Sequence, residues 1–151
     1  MSATDAPGLV IFAYDGSELA KLAIREASDL LRKPCDALVV TVWQPWDVGF
    51  VPPAETSVDA RQVTEVRRAA EECAAEGAAL AKAAGFRPQS LATESAPTWK
   101  ALVHLADEQD ARLIVLGSHG RSGLASVLVG SVAAAGAEHS RRSVLIVHRR
   151  S

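Results

Sequence analysis

Gly117, Gly120, Gly123 and Gly130, four of the chain's ten glycines, fall within fourteen residues, directly after the apolar run Leu113-Ile114-Val115-Leu116. That spacing has chemical content. Gly117-Ser118-His119-Gly120 puts two residues without Cβ at a strand exit, where main-chain amides can approach an anion closely. Gly130-Ser131 then opens a helix, and the unpaired N–H groups and positive dipole end of a helix N-terminus bind phosphate. The Ser131 hydroxyl adds a donor to the same oxygens. The alternative is that the glycines serve only tight turns and a helix start, with Ser131 as N-cap. For any one glycine taken alone that account is the better one. The cluster, at this place in a strand–helix alternation, favours phosphate.

Other chemistries lack their residues. There is no GxxxxGK[ST], so no Walker-type phosphate clamp with its lysine, and neither GxGxxG nor GxSxG occurs. HExxH is absent and the four histidines have no metal-ligand spacing. Ser118 and His119 are neighbours, but no third residue is identifiable to orient the histidine as a base. The expectation is a binding module with, at most, slow loss of phosphate.

The elements that must position this cluster alternate. Leu9 to Tyr14 is a run apolar on both faces, stopped by Asp15-Gly16-Ser17, and reads as a central strand. Glu18 to Arg32 reads as a helix burying Leu19, Leu22, Ala23, Ala27, Leu30 and Leu31. Ala37 to Val42 is a second buried strand. Trp43 to Asp59 is the longest loop, and Trp43 and Trp46 either wall a crevice or pack the loop on the sheet. A helix from about Ala60 to Ala84 buries Val63, Val66, Ala70, Cys73, Ala74, Gly77, Leu80 and Ala81. Gln89 to Glu94 suits an edge strand. Pro97 fits the first turn of a helix carrying Trp99, Leu102, Val103, Leu105 and Ala106. Leu113 to Leu116 is again a wholly apolar strand, a helix runs from about Ser131 to His139, and Val144 to Val147 closes the chain. Such alternation argues for an α/β domain, a parallel sheet with helices on both faces.

The whole chain, 1–151, reads as a single domain: 151 residues, 48% hydrophobic and 23% charged, are enough for one core and exclude disorder. Sixteen basic against eighteen acidic residues leave a net charge of −2, with no global field for nucleic acid or an anionic membrane. No apolar run approaches a membrane span, and Met1 to Gly8 has no basic n-region. Cys35 and Cys73 belong to no metal or CxxC pattern and read as small apolar side chains. A reduced, cytoplasmic setting is expected.

The spacing Gly117-x2-Gly120-x9-Gly130-Ser131 resembles the G-2x-G-9x-G-[S/T] signature of the nucleotide-binding universal stress proteins. Ala13-Tyr14-Asp15-Gly16-Ser17 is similar to that family's strand-exit motif, and Val144 to Val147 to its closing strand; the resemblance spans roughly residues 8 to 149. It implies a five-stranded sheet ordered 3-2-1-4-5, with the first and fourth strands adjacent at a crevice that holds ATP. By position, Ala13, Asp15 and Val42 then line the adenosine part. Gly117, His119, Gly120, Gly130, Ser131 and Val132 surround ribose and phosphates, with Leu116 and Ser118 beside them. Asp15 is chemically suited to ribose hydroxyls or to a phosphate-bound Mg²⁺, against the reading that Asp15-x-x-Glu18 is an acidic helix cap. His119 is either a phosphate or ribose contact or a solvent-facing loop residue, and Arg121 either a phosphate partner or a solvated arginine. His104 reads as a helix-surface or core histidine.

The resemblance also implies a homodimer through Val144, Leu145, Ile146 and Val147, paired with their twofold copies. Many family members carry prolines just before this strand, where this chain has Arg141-Arg142-Ser143; with Arg149 and Arg150 these arginines read as a solvated basic end. The function so implied is an ATP-binding stress or regulatory module. A non-nucleotide scaffold, a slow ATP hydrolase and a nucleotidyl-type transferase are the competing readings.

Overall fold

The computed structural model describes residues 8–45, 60–95, 97–120 and 130–150. They form β1 (Val10–Ala13), α1 (Glu18–Leu30), β2 (Asp36–Trp43), α2 (Ala60–Ala83), β3 (Arg87–Glu94), α3 (Thr98–Glu108), β4 (Leu113–Gly117), α4 (Ser131–His139) and β5 (Ser143–Val147). The strands make one parallel sheet in the order β3-β2-β1-β4-β5, the order the resemblance implies.

Successive side chains of a strand point to opposite faces, and in β1 both faces are dry. Val10 and Phe12 join Ala20, Ala23, Ile24 and Ala27 of α1 and Ala81 of α2 in one core. Ile11 packs with Leu102 and Ala106 of α3 and Ala133 of α4 in the other. Burial on both faces is why the strand sequences are unbroken apolar runs. β3, by contrast, lies at an edge and interleaves polar residues, and an edge tolerates its Pro88. It begins at Arg87, two residues earlier than its apolar pattern suggests, where Arg87 holds Asp36 at 2.8 Å.

Several expectations are corrected. α1 ends at Leu30, and that leucine is 65% exposed. The buried stripe is Leu19, Ala20, Ala23, Ile24 and Ala27, and Leu31 reaches the core from beyond the helix end. Leu80 of α2 is likewise exposed. Trp43 belongs to β2, not to a loop: its pairing with Glu94 extends the strand, and its ring packs with Val66 and Ala70. Pro97 is the N-cap of α3, one residue ahead of the helix. Cys35 is buried, with burial pushing its thiol upward, while Cys73 is only half-buried. Arg142 is no solvated tail. Its Nε lies 3.2 Å from Asp107, and its Nη1 lies 2.7 Å from Asp110 and 3.2 Å from the Ala111 carbonyl oxygen, clamping the end of α3 to the start of β5. Arg150 lies 3.5 Å from Glu26. Residues 46–59, with Trp46, and residues 121–129, with Arg121 and Gly123, lie outside the described residues.

The alanine-rich face of α2 sits close on the sheet because position 77 has no side chain. A Cβ there would lie 2.7 Å from Val39 Cγ1 and 2.8 Å from the Tyr14 ring. Gly136, in α4, has nothing within 4 Å of the Cβ it lacks. The two glycines therefore respond oppositely to alanine. Gly77→Ala overpacks the core and costs about 1–3 kcal/mol, whereas Gly136→Ala fits and gains roughly 0.5–1 kcal/mol by restricting the unfolded chain. Urea unfolding midpoints of the two variants check both signs.

Candidate functional site

β1 and β4 are hydrogen-bonded neighbours, Val10 opposite Leu113, Ile11 opposite Ile114 and Phe12 opposite Val115, so the turns that leave them meet. After β1 the chain turns at Gly16, whose φ of 83° suits a residue without Cβ. The Asp15 Oδ1 atom accepts the Ser17 N–H at 2.9 Å, an Asx turn. Ser17 is the N-cap of α1, accepting the Ala20 N–H at 3.1 Å. The capping role is thus filled without Asp15, and its carboxylate turns toward the neighbouring strand exit. A Cβ at Gly120 would lie 2.7 Å from Asp15 Oδ2.

The turn after β4 is tightly framed. Gly117 packs beneath α1, where a Cβ would lie 2.8 Å from Leu19 Cγ. The Ser118 N–H donates to the Val147 carbonyl of β5 at 2.8 Å, and the Ser118 carbonyl accepts the Gly130 N–H. A Cβ at Gly130 would lie 2.9 Å from that same oxygen, so the absence of a side chain lets the two turns close. Ser118 is 3% exposed and its Oγ lies 3.2 Å from His119 Nδ1. Sealed in this way, the hydroxyl faces His119 rather than the crevice.

Gly130, rather than Ser131, is the N-cap of α4, and it supplies no side-chain cap bond. The first amides of the helix, at Ser131, Val132 and Ala133, have no partner within the helix itself. The Gly130 amide itself is committed to Ser118, so the donors available to an anion begin one residue further on than the glycine motif suggests.

Between these turns and α3 lies a crevice of about 100 Å³. Ala13, Val40, Val42, Leu102 and Leu116 form its apolar side; Asp15, Gly117, His119, Gly120 and Val132 lie toward the two turns and α4. Eight expected site residues thus converge: Ala13, Asp15, Val42, Leu116, Gly117, His119, Gly120 and Val132. Ser118, Gly130 and Ser131 are not part of the lining: Ser118 and Gly130 frame it, and Ser131 begins α4. Val40, Thr98, Leu102 and Tyr14 line the crevice without having been singled out for it. The signal for Thr98 was topological. In a parallel α/β sheet every crossover helix starts at the carboxyl end of the strands, so the first turn of α3 had to face this opening.

His104 is a surface residue, 3.0 Å from Glu108 one turn along α3. Trp43 packs away from the crevice, beneath α2.

Tyr14 bounds the crevice by its ring, and its hydroxyl donates to Glu76 of α2 at 2.5 Å. Burial, then the hydrogen bond to this carboxylate, holds the phenol protonated far above its usual range. The unfolded chain loses that proton near pH ~10, while the folded chain keeps it, so the contribution is complete below that pH and stability falls as pH rises beyond it. Tyr14 is the chain's only tyrosine. An ultraviolet titration should therefore show no tyrosinate until alkaline unfolding begins, and Tyr14→Phe should flatten the alkaline limb of the stability curve.

A model of the universal stress protein family matches residues 9–148. A universal stress protein of Mycolicibacterium smegmatis is 29% identical over 142 residues, which cover 93% of this chain and 46% of that protein. The chain thus spans about half the length of the curated relative it matches. A universal stress protein crystallised in complex with cAMP is 30% identical, with a TM-score of 0.68 and coverage of 96% of this chain and 99% of that one. The fold is also that of the Archaeoglobus fulgidus universal stress protein in complex with dAMP, at 21% identity and a TM-score of 0.63, covering 93% of this chain and 96% of the other.

Proposed function

Because the chain belongs to the universal stress protein family, we propose that it is an adenine-nucleotide-binding regulatory module whose ligand is ATP. The observation that carries this reading is the convergence of three elements on one crevice: the Asp15 carboxylate against Gly120, the turn after β4, and the uncapped start of α4. The relatives crystallised with cAMP and dAMP, both adenine nucleotides, support the ligand class. In this reading the base and sugar lie along Ala13, Val40, Val42, Leu102 and Leu116. Gly117, His119 and Gly120, with the amides of Ser131 and Val132, meet ribose and phosphates, and Ser118 and Gly130 hold the frame.

Asp15 takes a ribose hydroxyl or a Mg²⁺ carried by the phosphates. Among the described residues no three His, Cys, Asp or Glu side chains cluster as a metal site. A single carboxylate suits Mg²⁺, which takes one or two protein carboxylates and fills its shell with phosphate oxygens and water. The ion would neutralise phosphate charge against Asp15.

Among the described residues no helix is long and apolar enough to cross a membrane. β5 ends the sheet with half-buried Val144, Leu145 and Ile146 and buried Val147, and among the described residues no strand pairs with its outer edge. That edge is proposed to pair with a second copy.

Heat extraction of the purified protein, followed by chromatography, should release an adenine nucleotide, and ATP with Mg²⁺ should rebind. A protein that comes off empty and stays empty refutes the reading. Asp15→Asn keeps the Asx-turn acceptor but removes the charge, and should weaken Mg²⁺–ATP by roughly tenfold or more, the size of a lost charge-assisted hydrogen bond. Sedimentation at micromolar concentration should give a dimer; a monomer there removes the role assigned to β5.

A further inference from the structure

We propose that Ser118 fixes His119 in its Nε2–H tautomer, so that the imidazole stands as a preset neutral donor for an anionic oxygen beside α4. The proposal deepens the nucleotide reading above and rests on it. Ser118 is held in place: its N–H is bonded to Val147, its carbonyl to Gly130, and its side chain is buried. The hydroxyl lies 3.2 Å from His119 Nδ1, while His119 Nε2 is buried with no hydrogen-bond partner.

The pair has two arrangements. If Nδ1–H donates to the serine oxygen, the hydroxyl hydrogen and the Nε2 lone pair are both left buried and unmatched. If the hydroxyl donates to Nδ1, Nε2–H is the only donor left unmatched, and the serine oxygen, already bonded through its hydrogen, keeps idle lone pairs at smaller cost. Buried polar groups resist being left unpaired, so the second arrangement prevails and Nε2 carries the proton.

The position of the ring says what that proton awaits. A Cβ at Gly130 would lie 3.8 Å from His119 Cδ2, the atom bonded to Nε2. The unpartnered edge of the imidazole therefore lies beside the start of α4, where the first amides have no partner within the helix. Neutral N–H donors and a positive helix end favour an anionic oxygen, such as that of a phosphate. His119 is then a ligand-binding residue and Ser118 a positioning residue that acts through it.

Nitrogen-15 long-range NMR of the ligand-free protein reads the tautomer directly, with His119→Gln identifying the signal among the four histidines. The wild type should show protonated Nε2, and Ser118→Ala should drift to a mixture. Ser118→Ala should weaken AMP and tripolyphosphate by roughly three- to tenfold and leave adenosine unchanged. In a His119→Gln background, where the amide donates without a tautomer to set, Ser118→Ala should have no further effect. A protonated Nδ1 in the wild type, or the same Ser118→Ala loss in both backgrounds, overturns the proposal. A wild type that binds no nucleotide refutes the functional reading and the role of donor to a nucleotide with it, and the tautomer spectrum still decides what Ser118 does to the ring. A wild type that binds AMP but shows no fixed tautomer refutes only the proposal.

Discussion

The ladder between β1 and β4 is the constraint on which the site depends. Of the six residues that make it, Val10, Ile11, Phe12, Ile114 and Val115 are buried, so a slip of one residue would carry apolar side chains to the wrong core on both sides of the sheet. Register is therefore fixed by two cores at once. The turn at the end of each strand inherits that fixity: Asp15 stands two residues beyond β1, the Gly117–Gly120 turn stands at the end of β4, and the carboxylate reaches the turn. Sheet order reverses at this point, β1 leading outward through β2 and β4 through β5, the place in an open α/β sheet where a crevice forms at the carboxyl ends of the strands.

Close approach does the remaining work, and it changes what the glycine cluster means. Turn glycine and phosphate glycine looked like rival readings of the same residues. In the structure the packing role is physically prior. Gly117 admits Leu19, Gly120 admits the Asp15 carboxylate, and Gly130 admits the Ser118 carbonyl. Each is small because another part of the same chain occupies the space, and the resulting closeness brings a carboxylate, an imidazole and a helix start to one opening. A motif of this kind specifies its site indirectly, by forbidding side chains where chain segments must touch.

Legibility followed the same division. Strands buried on both faces announce themselves as unbroken apolar runs, and α4 was bounded correctly by Ser131 and His139 because a glycine precedes it and the pattern ends there. The order of the strands came only from the family resemblance, since the alternation alone fixes parallelism but not neighbours. What failed was decided by distant partners. Leu30 and Leu80 have apolar chemistry, but the helix phase turns them outward; Trp43 joined β2 only because Glu94 was there to pair with it. Arg142 read as a solvated arginine because its partners, Asp107 and Asp110, lie more than thirty residues away in sequence. Thr98 and Leu102 carry no local mark of lining anything, and their place is set only by where α3 crosses the sheet.

That helix has two ends with different obligations. Its first turn puts Thr98, and its second Leu102, into the wall of the crevice, while Asp107 at its far end and Asp110 just beyond it grip Arg142 at the start of β5. A helix is stiff over such a length, so the wall cannot swing outward as a unit without pulling on the ion pairs or on Ala106, which is fully buried against the sheet. Opposite it, Asp15 is held by the Ser17 amide and the Ser118 backbone by Val147 and Gly130. Both sides of the opening are thus anchored to the same five strands, one through side chains and the other through the main chain. Among the described residues such a frame has little room to reshape itself, so the chemistry of the opening is that of the groups already lining it, Asp15 and His119 among them.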